Sequence, residues 1–180
     1  MINVYKSYSL CYITSYKYIR KSNPAKERGL NLTSHALVTV RVKRLHPDAV
    51  IPRTARSGDV AFDLYSVIDY ELKPRERYAV PTGIAIEIPQ GYEGQVRPRS
   101  GLAIKEGVTV LNTPGTIDSG YRGEVKTIMV NHGDKPFKIS KGMRISQLAI
   151  RPVPRVNFIE VEELSDTERG EDGFGSTGTN

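Results

Sequence analysis

The chain has 180 residues, of which 38% are hydrophobic and 26% charged, and this composition suits one folded domain and excludes a wholly disordered chain. Its single cysteine, Cys11, excludes an internal disulfide framework, a cysteine-rich zinc site and an iron–sulfur cluster, and it favours a reducing cytoplasmic compartment. The net charge is +6, but residues 1–36 hold six lysines and arginines against one acid, Glu27, so the nearly neutral remainder does not indicate nucleic-acid binding.

Residues 1–36 differ in composition from the rest of the chain. They contain five of the ten tyrosines, and no acidic residue precedes Glu27. We predict a poorly ordered, basic, tyrosine-rich extension, which a start codon assigned too far upstream would also explain. An acid-poor, basic start is also a feature of organelle transit peptides, so that role stays open.

From residue 38 onward the pattern is typical of short strands joined by turns. Residues 38–43 alternate apolar and polar side chains, as in a strand with one buried face. Further strands are predicted at residues 84–88, 108–111, 125–130, 145–150 and 156–161, and a short helix or turn at residues 100–105. No run of 18 apolar residues predicts a membrane span. The sequence therefore predicts an all-β sandwich or barrel.

Two patches in the first half carry residues suited to binding ions. Asp59 and Asp63 lie four residues apart, so they share a side on a strand, or hold a cation through water on a turn. Arg99, Ser100 and Gly101 follow a proline that stiffens the backbone. A guanidinium, a hydroxyl and an open glycine amide together can receive phosphate oxygens.

Residues 112–124 contain three glycines and a proline, which predicts a hairpin with an irregular tip. Asp118 and Tyr121 lie three residues apart within it. A carboxylate at such a tip could orient and deprotonate a water molecule, and the nearby ring could pack against a sugar. The alternative is that Asp118 only accepts hydrogen bonds from backbone amides of its own turn.

Two later patches also suggest phosphate binding. Residues 142–148 form a turn entering a strand, with the polar side chains of Arg144 and Gln147. Residues 173–178 match the dinucleotide pattern G-x-G-x-x-G, but no helix can follow because the chain ends two residues later, which excludes a Rossmann site. The glycines, two hydroxyls and the upstream Arg169 predict a flexible phosphate clamp, or else a disordered terminus.

Taken in this order, the five patches resemble the five motifs of the homotrimeric dUTP diphosphatases (dUTPases), from about Val38 to Gly178. The resemblance implies a distorted, jelly-roll-like β-barrel or sandwich with a flexible C-terminal arm, assembled as a homotrimer with shared active sites. It implies Mg²⁺-dependent hydrolysis of dUTP to dUMP and pyrophosphate, which supplies dUMP for thymidylate synthesis and keeps uracil out of DNA. Neither a nucleic acid nor a membrane is an expected partner.

The resemblance also assigns roles to individual residues. Asp118 is implied as the catalytic residue, activating the water that attacks the α-phosphorus. The ring of Tyr121 is implied to leave no room for a ribose 2′-hydroxyl. Mg²⁺ is expected on the phosphates and water with no direct protein ligand, while Asp63 is a candidate to contact its water shell. The substrate-binding residues are expected to be Arg99, Ser100, Gly101, Asn112, Thr116, Ile117, Asp118, Tyr121, Lys126, Gln147, Arg169, Phe174, Gly175, Ser176 and Thr177.

The same resemblance sets the expected domain limits and the rival functions. We expect an extension over residues 1–36, a β domain over 37–164 and a glycine-rich lid over 165–180. Ala61 replaces a glycine usual in the first motif, which predicts local strain if its φ is positive. The related dCTP deaminases carry a glutamate where this chain has Ile128. A non-catalytic nucleotide-sensing protein is a second alternative, which would require loss of Asp118 or of the lid.

Overall fold

The computed structural model describes residues 37–173. The predicted extension over residues 1–36 and the predicted lid residues Phe174, Gly175, Ser176 and Thr177 lie outside the described residues. Within the described range, no helix is long and apolar enough to cross a membrane.

Short strands dominate the described chain, and a single short helix interrupts them. In chain order the elements are β1 Arg41–Arg44, β2 Phe62–Tyr65, β3 Tyr70–Leu72, β4 Arg77–Glu87, β5 Tyr92–Arg97, α1 Ser100–Glu106, β6 Val108–Val110, β7 Gly115–Ile117, β8 Glu124–Asn131, β9 Phe137–Ile139 and β10 Arg144–Pro152. The predicted all-β class and the predicted short helix near residue 100 are both confirmed.

The strands form two four-stranded antiparallel sheets and one small ribbon. The first sheet has the order β1-β4-β8-β6, the second has the order β2-β10-β5-β7, and β3 pairs with β9. Strands β6 and β8 are antiparallel neighbours, which confirms the stem of the hairpin predicted around residues 112–124. Its tip contains β7, which pairs with β5 and so belongs to the second sheet.

The hydrophobic core explains why these segments become strands. Alternate side chains of β8 (Val125, Thr127 and Met129) are buried, as expected for a strand with one face on the core. The main cluster joins side chains of both sheets, including Leu64, Ile84, Ile86, Val96 and Leu148. Full burial of one such side chain contributes roughly 1.5–3 kcal/mol, so this cluster is the principal stabilising element.

The buried hydroxyl groups of the core are satisfied internally. The Oγ1 atom of Thr127 on β8 lies 2.7 Å from the Oγ atom of Ser146 on β10, which links the two sheets. The side chain of Asn131 donates hydrogen bonds to the carbonyl oxygens of Leu72 and Lys135 and accepts one from the Gly133 amide. Because buried polar groups are costly when unpaired, these bonds make the core compatible with its polar residues.

Three predicted strands differ from the structure. The strand predicted at residues 84–88 is the end of the longer strand β4, Arg77–Glu87. The strand expected at residues 38–43 is observed at Arg41–Arg44, because its partner β4 ends at Glu87, opposite Arg41. The strand predicted at residues 156–161 is wrong, since this segment has no regular structure and no partner strand in the described chain. Its alternating apolar residues are exposed instead, and Phe158 is 94% exposed.

The condition under which Ala61 would carry strain, a positive φ, is not met. Within residues 37–173, the one non-glycine residue with a positive φ is Arg75, at 64°. Ala61 therefore occupies ordinary backbone space, and the replacement of glycine there needs no compensation. Helix α1 is capped at its C-terminus by Gly107, whose φ is 67° and whose missing side chain allows close approach to the Gly133 backbone.

Candidate active site

The predicted phosphate-binding residues lie where β5 leads into α1. Arg99 has extended backbone geometry immediately before the helix, and the exposed residues Ser100 and Gly101 form its first turn. A side chain added at Gly101 would meet no atom within 4 Å, so its backbone is open to a ligand. The structure therefore places a guanidinium, a hydroxyl and an accessible amide side by side.

Strand pairing brings Asp63 and Gln147 to this place from distant parts of the chain. Gln147 on β10 lies opposite Asp63 on β2 and also opposite Arg97 on β5. The buried carboxylate of Asp63 lies 3.5 Å from Arg99 Nε and 3.3 Å from Arg144 Nη1. We call Asp63, Arg99, Arg144, Ser100 and Gln147 the basic cluster.

Asp118 lies in the exposed loop that follows β7. The amide of Tyr121 donates a hydrogen bond of 3.0 Å to the backbone carbonyl of Asp118, which fixes the loop through its main chain. The side chain of Asp118 is exposed, and within residues 37–173 its carboxylate accepts no hydrogen bond. It lines an open cleft of about 390 Å³ with Gln90, Glu93, Pro154 and Arg155.

The ring of Tyr121 is held by two features of the same loop. Its hydroxyl donates a hydrogen bond of 3.0 Å to the carbonyl oxygen of Glu124. A Cβ atom at Gly123 would lie 2.7 Å from the ring atom Cζ, so only glycine allows the ring to lie there. The exposed ring is therefore positioned by its neighbours while one side faces solvent.

The remaining predicted residues of this loop lie around β7. Asn112 and Thr116 are exposed, whereas the side chain of Ile117 is buried and leaves only backbone groups for a ligand. Strand β7 is the last strand of its sheet in the described chain, so its outer edge has unpaired backbone donors and acceptors. Lys126 is exposed on β8, with its Nζ atom 3.6 Å from Glu124 Oε2.

The two halves of the predicted site lie at opposite ends of β5. Ile117, next to Asp118, pairs with Gly94, whereas Gln147 pairs with Arg97. Asp118 lies beyond the level of Gly94 on the side away from Arg97, so at about 3.3 Å per residue the separation along the strand exceeds roughly 10 Å. One chain does not bring Asp118 to its own basic cluster.

Arg169 lies near the end of the described residues. Its Nε atom donates a hydrogen bond of 2.8 Å to the carbonyl oxygen of Asp172, and Asp172 returns a backbone bond to Arg169. Both contacts are local, so within residues 37–173 Arg169 is not joined to the basic cluster.

Sequence reasoning did not predict two polar contacts of the second sheet. Arg144 was considered only as a polar residue entering a strand, whereas it pairs with Asp63. On β5, Gln95 accepts a hydrogen bond of 3.2 Å from the Nε atom of Arg97 and donates one of 2.7 Å to Glu93. The contacts on β5 could have been predicted from its sequence. Its polar residues alternate along the strand, and alternate residues of a strand share one face.

The side chains of the described residues offer few ligands for a metal ion. Within the described residues, no group of three or more histidine, cysteine, aspartate and glutamate side chains could hold a metal ion. The carboxylate within the basic cluster, Asp63, already faces two guanidinium groups. A divalent cation at this cluster would therefore need ligands other than Asp63, such as phosphate oxygens.

The largest pKa shift in the described chain lies away from this loop and cluster. The Tyr70 hydroxyl donates a hydrogen bond of 2.6 Å to Glu76, and this bond is the main cause that raises the pKa of Tyr70 to about 12. The same bond is the main cause of a lowered pKa at Glu76. Tyr70 also stacks on Tyr78 at 4.0 Å between ring centres, so this group is part of the structural framework.

Comparisons with known proteins identify the relatives of the chain. The dUTPase family model matches residues 48–178. Deoxyuridine 5'-triphosphate nucleotidohydrolase of Clostridioides difficile is 54% identical over 142 residues, which are 79% of this chain and 99% of that protein. The corresponding protein of Clostridium kluyveri is 56% identical over 138 residues, covering 77% of this chain and 96% of the relative.

Solved structures with a similar fold include two phage dUTPases. The Staphylococcus bacteriophage 80alpha dUTPase with dUpNHpp has a TM-score of 0.74 and 32% identity, covering 78% of this chain and 99% of that chain. A mutant dUTPase from phage phi11 of S. aureus, described with a structural Mg(II) ion, has a TM-score of 0.66 and 25% identity over 71% of this chain and 99% of that one.

Proposed function

Because the chain belongs to the dUTPase family, we propose that it binds dUTP and hydrolyses it to dUMP and pyrophosphate. The observation that carries this proposal is the exposed Asp118 carboxylate, which accepts no hydrogen bond within residues 37–173 and follows an edge strand with open backbone groups. A carboxylate in that state is available to accept a proton from a bound water.

Uracil recognition is assigned to the outer edge of β7. The backbone groups of Thr116 and Ile117, together with the Asn112 side chain, offer donors and acceptors to the acceptor–donor–acceptor edge of uracil. Cytosine presents a different order of groups, and a mismatch would leave buried polar groups unpaired. The ring of Tyr121, held by Glu124 and Gly123, would lie against the deoxyribose and exclude a 2′-hydroxyl.

Phosphate binding is assigned to the basic cluster together with the C-terminal residues. Arg99, Ser100, Gly101 and Gln147 offer donors to the triphosphate, which carries about four negative charges near neutral pH. Mg²⁺ bound to the phosphates would neutralise part of that charge. Lys126, Arg169 and the segment Phe174, Gly175, Ser176 and Thr177 would complete the cover over the nucleotide.

The proposed reaction is a displacement at the α-phosphorus. Asp118 accepts a proton as the water oxygen bonds to phosphorus, and the bond from that phosphorus to the α,β-bridging oxygen breaks. The electron pair of that bond leaves with pyrophosphate, and the products are dUMP and pyrophosphate. Arg99 and Gln147 would hold the phosphate oxygens on which negative charge accumulates.

A homotrimer with shared active sites accounts for the separation of more than about 10 Å between Asp118 and the basic cluster along β5. In that arrangement the Asp118 loop of one copy faces the basic cluster of another.

The exposed apolar residues 156–161 would leave one subunit and pack on a neighbour. An apolar groove of about 370 Å³ beside the free edge of β1, lined by Val40, Val42, Phe62 and Ile150, offers such a place.

The cellular role proposed for this activity is supply of dUMP for thymidylate synthesis and removal of dUTP, which keeps uracil out of DNA. The compartment proposed is the cytoplasm. The low charge outside residues 1–36 supports a small-molecule substrate over a nucleic acid.

Product analysis after incubation with dUTP or dCTP tests the proposal. We expect dUMP and pyrophosphate from dUTP and no ammonia from dCTP, because Ile128 stands on β8 where the deaminases carry a glutamate. Ammonia release would support a deaminase instead. Tight nucleotide binding with no product from either compound would support a non-catalytic binding protein.

A further inference from the structure

Arg122 directly follows Tyr121 in the candidate site and has no role in the proposed reaction. Its guanidinium group turns back over the loop, because Nη1 donates hydrogen bonds of 2.6 Å to the Ser119 carbonyl and 2.8 Å to the Tyr121 carbonyl. Hydrogen bonds from a charged donor are shorter and stronger than those between neutral groups. One side chain therefore holds two peptide groups of the loop that carries Asp118.

The loop has a glycine at the position that these bonds enclose. A Cβ atom at Gly120 would meet no atom within 4 Å, so this part of the loop is open to solvent. Glycine has more backbone freedom than any other residue, and fixing it costs more conformational entropy. The bond from the Tyr121 amide to the Asp118 carbonyl closes the turn, and Arg122 adds two further bonds on the other side of the glycine.

The second amino group of Arg122 faces the first sheet. Its Nη2 atom lies 3.9 Å from Oε1 of Glu87 at the end of β4, and Glu87 is also paired with Arg41 of β1 at 3.1 Å. The side chain is 55% exposed for Arg122 and 42% for Glu87, so this ion pair contributes little to the stability of the fold. It still orients the guanidinium group, with Nη1 towards the loop and Nη2 towards the sheet.

We propose that Arg122 is a positioning residue that fixes the loop so that the Asp118 carboxylate and the Tyr121 ring keep their places against the nucleotide. This inference rests on the proposed function, because it concerns the same loop. Tyr121 is held at both ends, since its carbonyl is bonded to Arg122 and its hydroxyl to the Glu124 carbonyl. A displacement of about 1 Å in a reacting group can lower a rate by about 10²-fold.

The contacts of Arg122 favour this role over direct binding of a phosphate. Nη1 already donates to two carbonyl oxygens, and Nη2 faces the Glu87 carboxylate. A phosphate on this guanidinium group would have to displace these partners, and the carboxylate would repel it. The two roles predict different results, because a lost phosphate contact would affect dUTP and UTP alike. A displaced Tyr121 ring would instead reduce the preference for dUTP over UTP.

The test compares the hydrolysis of dUTP and UTP by the full chain and its Arg122→Ala variant. We expect kcat for dUTP to fall by about ten- to hundredfold, and the ratio of kcat/KM for dUTP to that for UTP to fall by at least about threefold. A general loss of folded protein would lower both rates alike and leave the ratio unchanged. Guanidinium ion, added well below denaturing concentrations, should restore part of the activity and of the ratio by occupying the place of the missing side chain.

Arg44→Ala is the matched control. Arg44 is an exposed arginine on β1, and within residues 37–173 its side chain makes no hydrogen bond or ion pair. Its substitution should leave kcat and the ratio unchanged, and guanidinium ion should not increase the activity of this variant. Thermal unfolding establishes that each variant is folded. If Arg122→Ala does not fold, Arg122→Met decides, because methionine keeps an apolar stem and lacks the donors.

Hydrogen exchange tests the loop without a substrate. The Tyr121 amide should exchange at least about tenfold faster in Arg122→Ala than in the parent chain, whereas the amides of β6 and β8 should keep their parental rates. Exchange at the parental rate, or a parental kcat and ratio, contradicts the inference while dUTP hydrolysis by the parent chain still stands.

An equal loss for both nucleotides that guanidinium ion does not restore contradicts the inference in favour of a phosphate contact or a general loss of fold. If the parent chain hydrolyses no dUTP, the proposed function itself fails, and exchange at the Tyr121 amide still decides whether Arg122 fixes the loop.

Discussion

At the scale of single residues, Asp118 is exposed and its carboxylate is available to a bound water molecule. Its loop is fixed by a backbone bond to Tyr121, and within the described residues its carboxylate accepts no hydrogen bond. The main chain therefore fixes the position of Asp118, while its carboxylate remains available to accept a hydrogen bond from a ligand or a water molecule. The buried Asp63 is the opposite case, since its carboxylate is paired with two arginines.

Asp118→Asn is expected to lower kcat by at least about 10²-fold, which is the lower range for loss of a general base. The affinity for α,β-imido-dUTP should change little, because the amide keeps the size of the carboxylate. Single-turnover kinetics and equilibrium binding measure the two quantities separately. Asp134→Asn, in another exposed loop, is the control. A variant with the parental kcat contradicts the role of Asp118.

Arg75 stores backbone strain in the turn between β3 and β4. Its φ of 64° is unfavourable for a residue with a side chain, and its amide donates a hydrogen bond of 2.7 Å to the Asn131 carbonyl that keeps it there. Arg75→Gly should raise the free energy of unfolding by about 0.5–1 kcal/mol, as measured by chemical denaturation. Arg75→Ala is the control and should give no such gain, because alanine keeps the strain. An equal gain from both variants would locate the effect in the side chain.

At the scale of elements, the contact between Tyr70 on β3 and Glu76 before β4 predicts a pH-dependent contribution to stability. The Tyr70 hydrogen bond lowers the pKa of Glu76. A lowered carboxyl pKa means that the stabilisation is present at neutral pH and is lost as the pH falls through the folded-state pKa. At alkaline pH the contribution is lost again as Tyr70 ionises, near its raised pKa of about 12.

Thermal unfolding of Tyr70→Phe across the acid range tests this contact. The variant should have a lower Tm than the parent chain at pH 7, and the difference should shrink in acid as the pH falls through the lowered pKa of Glu76. Tyr78→Phe is the control, because Tyr78 shares the stacked ring pair while the bond to Glu76 comes from Tyr70. A difference that stays constant with pH would assign the effect to packing.

The C-terminal segment is the element whose removal should separate catalysis from assembly. A chain ending at Glu168 keeps residues 156–161 but loses Arg169 and all later residues. We expect the same oligomer by sedimentation and a kcat/KM lower by at least about 10²-fold, because the phosphates lose part of their cover. Removal of residues 1–36 is the control, since the family match begins at residue 48. Parental activity of the shortened chain would contradict a role for this segment.

Sequence patterns predicted some of the strands and missed others. Short stretches rich in β-branched residues located β8 and most of β10, which both pack on the core. The same signal predicted a strand at residues 156–161, where the described chain supplies no partner. Strands β3, β7 and β9 have three residues each, too few for a period to be visible. A sequence pattern indicates which segment can bury apolar side chains. Whether that segment becomes a strand depends on a partner strand, which the rest of the fold supplies.

Some parts of the candidate site could be predicted from the sequence, and others could not. Residues that lie close in sequence, such as Arg99 with Ser100 or Asp118 with Tyr121, were identified as local motifs whose roles remain predictions. The pair of Asp63 and Arg144 spans 81 positions and forms only because β2 lies beside β10. No local spacing encodes that contact, so it required the structure.

At the scale of the whole molecule, the central claim is that each active site combines Asp118 of one copy with the basic cluster of another. The register of β5 with β7 and β10 is the reason, because it puts the two groups at opposite ends of one sheet. Single chains should therefore be inactive, and the activity should depend on assembly.

Complementation between two inactive variants tests this claim most directly. Asp118→Asn and Arg99→Gln should each have little activity as pure oligomers, whereas oligomers refolded from an equal mixture should regain up to about a quarter of parental kcat. Random assembly gives that fraction of sites both intact groups when they come from different subunits. The control is a mixture of the two oligomers without refolding. If the refolded mixture stays as inactive as the separate variants, each site lies within one subunit and the account is contradicted.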